Sequence, residues 1–253
     1  MGIDDHSELD ALPPGLASAW DVVDTSTRRG RKPAHSVDEI VAAATALADR
    51  DGIAAASLPK VAARVGVTTN ALYRYVSSKE ELIVLVADRA WGAAPTLPLD
   101  DWRGAATLWP HRLRDRFLAR PWLLDVPTTV PLTPHTAAWL DALIVALAPT
   151  GLPARQVLYS AYLLDSHARY DANLRRNAPT PSALSAAHPD RRRRVRGFLD
   201  TQLRARSLDA VADVMQDPSF VADATTNDGF EFGLARILDG IEAHVSGGSP
   251  PAR

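Results

Sequence analysis

The sequence predicts an all-α fold, and three observations carry that expectation. Apolar residues recur at helical spacing in run after run, the alternating β-branched pattern of strands is missing, and the runs are bounded by capping residues, glycines and prolines. With 253 residues and no cysteine, the chain has length enough for a true core and has neither a disulfide scaffold nor a thiolate metal site to build on.

The first strong helix starts at Ser36, because Ser36 and Glu39 have the spacing of a capping box. Val37, Ile40, Val41, Ala44, Leu47 and Ala48 then fall on one face, and Gly52 ends the run. A second helix spans Leu58 to Val65, with Ser57 as N-cap, Pro59 in the first turn where a missing N–H is harmless, and Gly66 as its stop. The third runs from Thr69 to about Tyr75. Ser78 and Glu81 offer another capping box for a fourth, which passes through Ile83, Leu85 and Val86 to Trp91.

After a turn over residues 93–98, Asp100 or Asp101 caps a helix toward Ala119, which Pro110 must kink or divide. Thr133-Pro134 opens the next, with Ala137, Leu140, Ile144 and Leu147 on one face and a stop near Gly151. From Pro153 to about Arg176, Val157, Ala161, Leu164 and Ala168 form a stripe. A loop is expected between Asn177 and Pro189, then a helix from Arg191 to about Arg206. The last helix begins at Asn227 or Asp228 and carries Phe230, Leu234, Ile237, Leu238, Ile241 and Val245, before a Gly/Ser/Pro tail.

The net charge of -2 argues against wholesale coating of nucleic acid, but the charge is unevenly spread. Residues 1–24 carry six acidic side chains and no Lys or Arg, whereas Arg28, Arg29, Arg31 and Lys32 concentrate positive charge just before the first strong helix. Arginines flanking Gly30 suit a narrow minor groove, and a solvated linker with weak phosphate contacts is the equal alternative. The second basic run, Arg191 to Arg194 with Arg196, reads as a solvated face. The N-terminus lacks a basic flank followed by an apolar run, and no stretch approaches the ~18 apolar residues of a membrane span, so a cytoplasmic protein without membrane contact is expected. His111, His135, His167 and His188 are scattered without metal-ligand spacing, and His167 reads as a satisfied helix histidine. With no nucleophile motif, paired metal ligands or glycine-rich phosphate loop, neither a cofactor nor an enzyme is expected.

Two short helices joined at Gly66 have the proportions of a helix-turn-helix, in which the second helix enters the major groove. Val61, Ala62, Val65, Val67, Leu72 and Val76 supply its internal packing. What remains on the third helix is Thr69, Asn70, Tyr73, Arg74 and Tyr75, donors and acceptors suited to base edges and phosphates. The two tyrosines cannot both face inward: Tyr75 is expected outward, and Tyr73 with its ring partly packed and its hydroxyl toward a phosphate.

The run from Ala62 to Leu82, with Gly66-Val67, Leu72-Tyr73 and Lys79-Glu80-Glu81-Leu82 at their particular spacing, resembles the tetracycline-repressor family over residues 36–83. That resemblance implies a homodimer on palindromic double-stranded operator DNA, repressing a nearby gene and released by a small-molecule effector bound in the C-terminal domain. An activator, or a regulator that senses no ligand, shares the same fold. The family's DNA contacts fall here on Ser57, Lys60, Thr68, Thr69, Asn70, Tyr73, Arg74, Tyr75 and Lys79. Pro59 departs from the family's common arginine or polar residue, which leaves a backbone phosphate contact unmade or passes it to Lys60. The implied organisation is an extension with the basic arm (residues 1–35), a helix-turn-helix domain (36–83), a helical effector and dimerisation domain (84–246) and a flexible tail (247–253).

The middle of the chain is rich in aromatic side chains with polar handles, which line ligand cavities as readily as they fill cores. Trp109, Leu113, Phe117, Trp122, Trp139 and Tyr162 are the candidate effector contacts, with Trp109 beside Pro110 foremost because a broken helix would open space there. Val157, Ala161, Leu164 and Ala168, with Phe230, Leu234, Ile237, Leu238 and Ile241 of the last helix, are the candidate dimer interface, arranged as four helices about a two-fold axis.

Overall fold

A computed structural model describes residues 11–22, 35–127, 132–177, 189–217 and 228–247, and among these every regular element is helical. The basic arm at Arg28, Arg29, Arg31 and Lys32, and the loop expected after Asn177, lie outside the described residues.

A short helix absent from the sequence-based expectation, α1 (Leu16–Ala19), comes first. Helix α2 (Val37–Asp51) has the full capping box, with Glu39 N–H donating to Ser36 Oγ and Ser36 N–H to Glu39 Oε2, each at 3.1 Å. Its buried face is Ile40, Val41, Ala44, Leu47 and Ala48, as the periodicity requires. Helix α3 (Leu58–Val65) ends at Gly66 in the left-handed region, φ 80°. Helix α4 (Thr69–Leu72) is three residues shorter than expected. Leu72 and Val76 are both buried, and the Tyr75 N–H turns back to the Leu72 carbonyl at 2.9 Å, so the backbone tightens into a turn over residues 73–75.

Helix α5 (Lys79–Trp91) runs unbroken through the boundary expected at residue 83. Half of its expected capping box forms: Ser78 Oγ accepts from Glu81 N–H at 3.0 Å, but the Glu81 carboxylate turns to Ser77 and Ser18 instead of Ser78 N–H.

Asp101 caps α6 (Trp102–Ala119), accepting from Gly104 N–H at 2.8 Å. Pro110 does not divide this helix; its ring is buried in the core. A 3-10 turn (Pro121–Asp125) follows, then α7 (Pro134–Leu147), whose buried face is Trp139, Leu143, Ala146 and Leu147. Of the stripe expected through Ala137, Leu140, Ile144 and Leu147, Leu147 is buried, Ala137 and Leu140 are half-buried with Leu140 against the core, and Ile144 is exposed, because Trp139 goes inward and takes its neighbours one and two turns on with it. Helix α8 (Ala154–Asn177) makes the most extensive contact in the body with α6, whose buried Ala105, Ala106, Leu113 and Phe117 face a small-residue stripe. Helices α9 (Pro189–Arg204) and α10 (Asp209–Gln216) pack on each other, the second unforeseen in the sequence. Of the second basic run, Arg193 and Arg194 are exposed and Arg196 is half-buried, and the side chains of Arg191 and Arg192 lie outside the described residues.

Helix α11 (Asp228–Ser246) closes the body against α6 and α8. Its anchor is Phe230, which stacks on His167 at 4.8 Å between ring centroids and lies 4.0 Å beneath the Arg114 guanidinium. His167 Nε2 is 2.8 Å from the Phe230 carbonyl, so this nitrogen carries the proton and the histidine is satisfied within the fold. A Cβ on Gly233 would fall 2.4 Å from His167 Cε1, which restricts that position to glycine. One hydrophobic cluster extends from Ile40 in α2 to Leu238 in α11, so head and body share a core.

Candidate nucleic-acid interface and effector cavity

The helix-turn-helix is held together from within by Val61, Ala62, Leu72 and Val76, each at most 1% exposed. Thr68 caps α4 by accepting from Ala71 N–H at 3.2 Å, which aims the first turn of that helix outward. Lys60, Thr68, Asn70, Tyr73, Arg74 and Lys79 are exposed, while Ser57 and Thr69 are half-buried. Ser57 forms no side-chain cap.

The tyrosine assignment reverses. Tyr73 is 51% exposed, whereas Tyr75 packs partly against the core. The shortened α4 is the reason, since the turn after Leu72 swings residue 75 back toward the buried pair at 72 and 76. Arg64 adds a further exposed cation on α3, and sequence reasoning missed it although it sits one turn beyond Lys60. At the edge of this surface, hydrogen bonding from Arg50 holds Asp51 below the ordinary carboxylate value, and Lys60 adds a smaller pull.

Behind the head, α5, α6, α7 and α8 enclose a cavity of about 330 Å³. Trp91, Trp109 and Trp139 form its aromatic wall, with ring centroids 5.7 Å apart for Trp91 and Trp139 and 6.2 Å for Trp109 and Trp139, both edge to face. Two of the indoles are tied. Trp109 Nε1–H donates to the Trp139 carbonyl at 2.8 Å and Trp139 Nε1–H to the Gly92 carbonyl at 3.1 Å, so both spend their polar edge on the protein. Polar lining comes from Thr133, Thr136, Tyr162, Asp88 and the Asp165–Arg169 ion pair at 2.7 Å. Asp88 accepts from the His135 backbone N–H at 2.9 Å, fastening α5 to the first turn of α7. Behind Trp139, burial lowers the Arg116 pKa from its ordinary value, with Arg120 adding to the effect.

Of the six residues expected to meet an effector, Trp109, Trp139 and Tyr162 line the cavity. Leu113 and Phe117 are enclosed in the α6–α8 seam instead. Trp122 faces away, its indole N–H donating to Asp49 of α2 at 2.8 Å. Trp91, Asp165 and Arg169 were missed; the i,i+4 spacing of Asp165 and Arg169 was visible, but only the fold turns that pair toward a void.

The side chains expected at a dimer face divide into two groups. Val157, Ala161, Leu164 and Ala168 are at most 6% exposed within the single chain, and Phe230, Leu234 and Leu238 at most 4%, so these side chains already fill the protomer's own core. The stripe of small residues lets α8 approach α6. The outward surface of the same two helices is a shallow groove that includes Tyr159, Leu163, Ile237 and Ile241 with Ser160 and Gly240 between them. Among the described residues, no group of three or more His, Cys, Asp or Glu side chains is placed to hold a metal ion, and no helix is long and apolar enough to cross a membrane.

A capped helix-turn-helix that presents hydroxyl, amide, guanidinium and ammonium groups, joined through one helix to a cavity-bearing helical body, defines a DNA-binding regulator. The family model for bacterial regulatory proteins of the tetR family matches residues 40–86, and that of the tetracyclin repressor-like C-terminal domain matches residues 94–245. The chain therefore belongs to the tetracycline-repressor family of helix-turn-helix transcriptional regulators. It is 28% identical over 238 residues to the HTH-type transcriptional repressor DrrR1 of Streptomyces coeruleorubidus, covering 88% of this chain and 84% of that one. An HTH-type transcriptional regulator of Saccharopolyspora erythraea is 34% identical over 131 residues, 50% of this chain and 55% of the relative. Among solved structures, the TetR family protein ActR of Streptomyces coelicolor in complex with (S)-DNPA superposes with a TM-score of 0.68 at 23% identity, covering 84% of this chain and all of that one, a likeness of fold.

Proposed function

We propose that the protein is a repressor that binds a palindromic operator as a homodimer and is released by a small molecule held in the aromatic cavity. The observation that carries this reading is the path of α5. It begins with Lys79 at the edge of the DNA-reading surface and ends with Ala87, Asp88 and Trp91 in the cavity wall. A ligand that wedges against Trp91 or Asp88 acts on the same rigid element that sets the attitude of the head, and it lowers operator affinity by its preference for the displaced state. Family membership, the repressor DrrR1 and the ligand complexes of ActR with (S)-DNPA and actinorhodin support the reading.

The reading surface consists of Asn70, Tyr73 and Arg74 with Thr68 and Thr69, flanked by Ser57, Lys60 and Lys79, while Tyr75 supports it from beneath. The basic arm, Arg28 to Lys32, adds phosphate or minor-groove contacts. The cavity's tied indoles offer ring faces and edges in place of donors, which favours a flat, largely apolar effector with a polar edge for Thr136 and Arg169. The dimer forms through the α8–α11 groove around Ile237 and Ile241, with the family's division into a reading head and an effector body. Such a regulator works in the cytoplasm and catalyses no reaction.

The test is an anisotropy titration of a duplex carrying the inverted repeat from the DNA beside the gene, with and without planar aromatic acids, phenols and amines. Binding that saturates at one dimer per repeat and weakens with one of these compounds is the expected outcome. Absence of any specific duplex binding would overturn the proposal.

A further inference from the structure

Residues 11–22 form a strap along α5. Gly15 has φ 79°, and a Cβ on it would lie 3.0 Å from both Glu81 Cα and Val84 Cβ and 3.2 Å from the Glu81 carbonyl oxygen. Only glycine permits both that backbone angle and that approach, so the strap rides directly on the helix that joins head to body. Three residues on, the Ser18 hydroxyl donates to Glu81 Oε1. Glu81 is 6% exposed, and its other oxygen accepts from the Ser77 N–H and hydroxyl, each at 2.5 Å. A buried carboxylate needs such donors, and one of them is the strap's. Through Glu81 the strap is bonded to the turn that directly follows the DNA-reading segment.

Its other end reaches the cavity. Trp20 Nε1–H donates to the Leu132 carbonyl at 3.0 Å, and Leu132 and Thr133 are cavity-lining residues, Thr133 being the N-cap of α7. A route of named bonds therefore runs from the cavity rim through Trp20 and Ser18 to Glu81 and Ser77, beside the direct path along α5.

We propose that this strap is a positioning element that couples the cavity rim to the DNA-reading head, with Trp20 and Ser18 as its two fastening points. The proposal rests on the DNA-binding reading above. Displacing Leu132 breaks the Trp20 bond, frees the strap and takes a donor from Glu81, which loosens the Ser77 turn under the reading surface. One neutral hydrogen bond biases such an equilibrium by about three- to tenfold, a suitable size for a modulator.

Amide hydrogen exchange of the full chain, followed in peptides covering residues 77–84 and 132–140, tests it in two arms. In the free protein, Trp20→Phe keeps a ring and removes the N–H, and it is expected to speed exchange at residues 77–81 by about threefold, although the lost bond is to Leu132. On adding operator duplex, wild type is expected to slow exchange at residues 132–136 by about threefold, as reciprocity of coupling requires. Trp20→Phe and Ser18→Ala should lose that response while still binding duplex, and Ser18→Thr, which keeps the hydroxyl, should restore it. Unchanged exchange at 77–81 in Trp20→Phe, a rim response that persists in both variants, or a Ser18→Thr protein that behaves like Ser18→Ala would each overturn the coupling role. A wild type that binds no duplex refutes the DNA reading instead, and the free-protein arm still decides the strap.

Discussion

In the head, Leu72 and Val76 are buried, and of the three residues between them Tyr73 and Arg74 face solvent while Tyr75 packs partly against the core. In the body, Trp91, Trp109 and Trp139 matter because they are packed, two of them fixed by bonds to carbonyls of neighbouring segments. The DNA surface is what packing leaves over, whereas the cavity is made of packing itself. Substitutions in the reading surface should therefore change affinity with little effect on stability, and substitutions in the cavity wall should do both.

The largest expected effect is at Trp139. Its replacement by Ala removes a ring 3% exposed that abuts both other indoles, with an expected loss of about 3–5 kcal/mol in denaturant unfolding. A loss under about 1 kcal/mol would break the picture of a wall held by packing.

Next is a pair on α11. Leu234→Asp buries an unpaired carboxyl group in the protomer core and should destabilise the fold, whereas Ile237→Asp, in the outer groove, should leave a stably folded chain that sediments as a monomer. Losing the second half-site should weaken operator binding by about a hundredfold or more. If Ile237→Asp remains a dimer, the groove is not the interface.

Smaller effects separate the tyrosines. Tyr73→Phe should weaken operator binding by about three- to tenfold with unchanged melting, and Tyr75→Phe by less than about twofold. Lys79→Ala should lower the slope of log affinity against log salt by about one. Equal effects at the two tyrosines would return Tyr75 to the reading surface.

The smallest effect concerns acid. Hydrogen bonds from Arg103 first and Arg236 second hold Asp239 below its ordinary value of 3.8. A depressed folded-state pKa stabilises the protein above that value and ceases to do so as pH falls through the folded pKa. Wild type should therefore melt slightly above Asp239→Asn at neutral pH, and the two should converge as the pH falls below 3.8 through the depressed folded-state value. A gap that persists in acid would assign the difference to packing.

Local chemistry made much of this protein legible in advance. Ser36 with Glu39, Thr133 before Pro134, and the glycines at 52 and 66 act through neighbours a few residues away, so the helix limits they set appear in the structure at those places. The helix-turn-helix was readable for the same reason, since its packing residues lie within about twenty positions of one another. Where distant segments compete for the same residues, the sequence was mute. Periodicity showed that Val157, Ala161, Leu164 and Ala168 share a face, but not that α6 of the same chain would occupy it. The same holds for Glu81, whose spacing promised a bond to Ser78 N–H and whose carboxylate went to Ser77 and to Ser18, 63 residues away. The sequence alone determined the longer helices, the caps at Ser36 and Asp101 and the family's reading motif, because these depend on short-range hydrogen bonding and periodicity. Which faces become core, cavity or free surface was decided by tertiary structure, because burial depends on what else in the chain arrives there first.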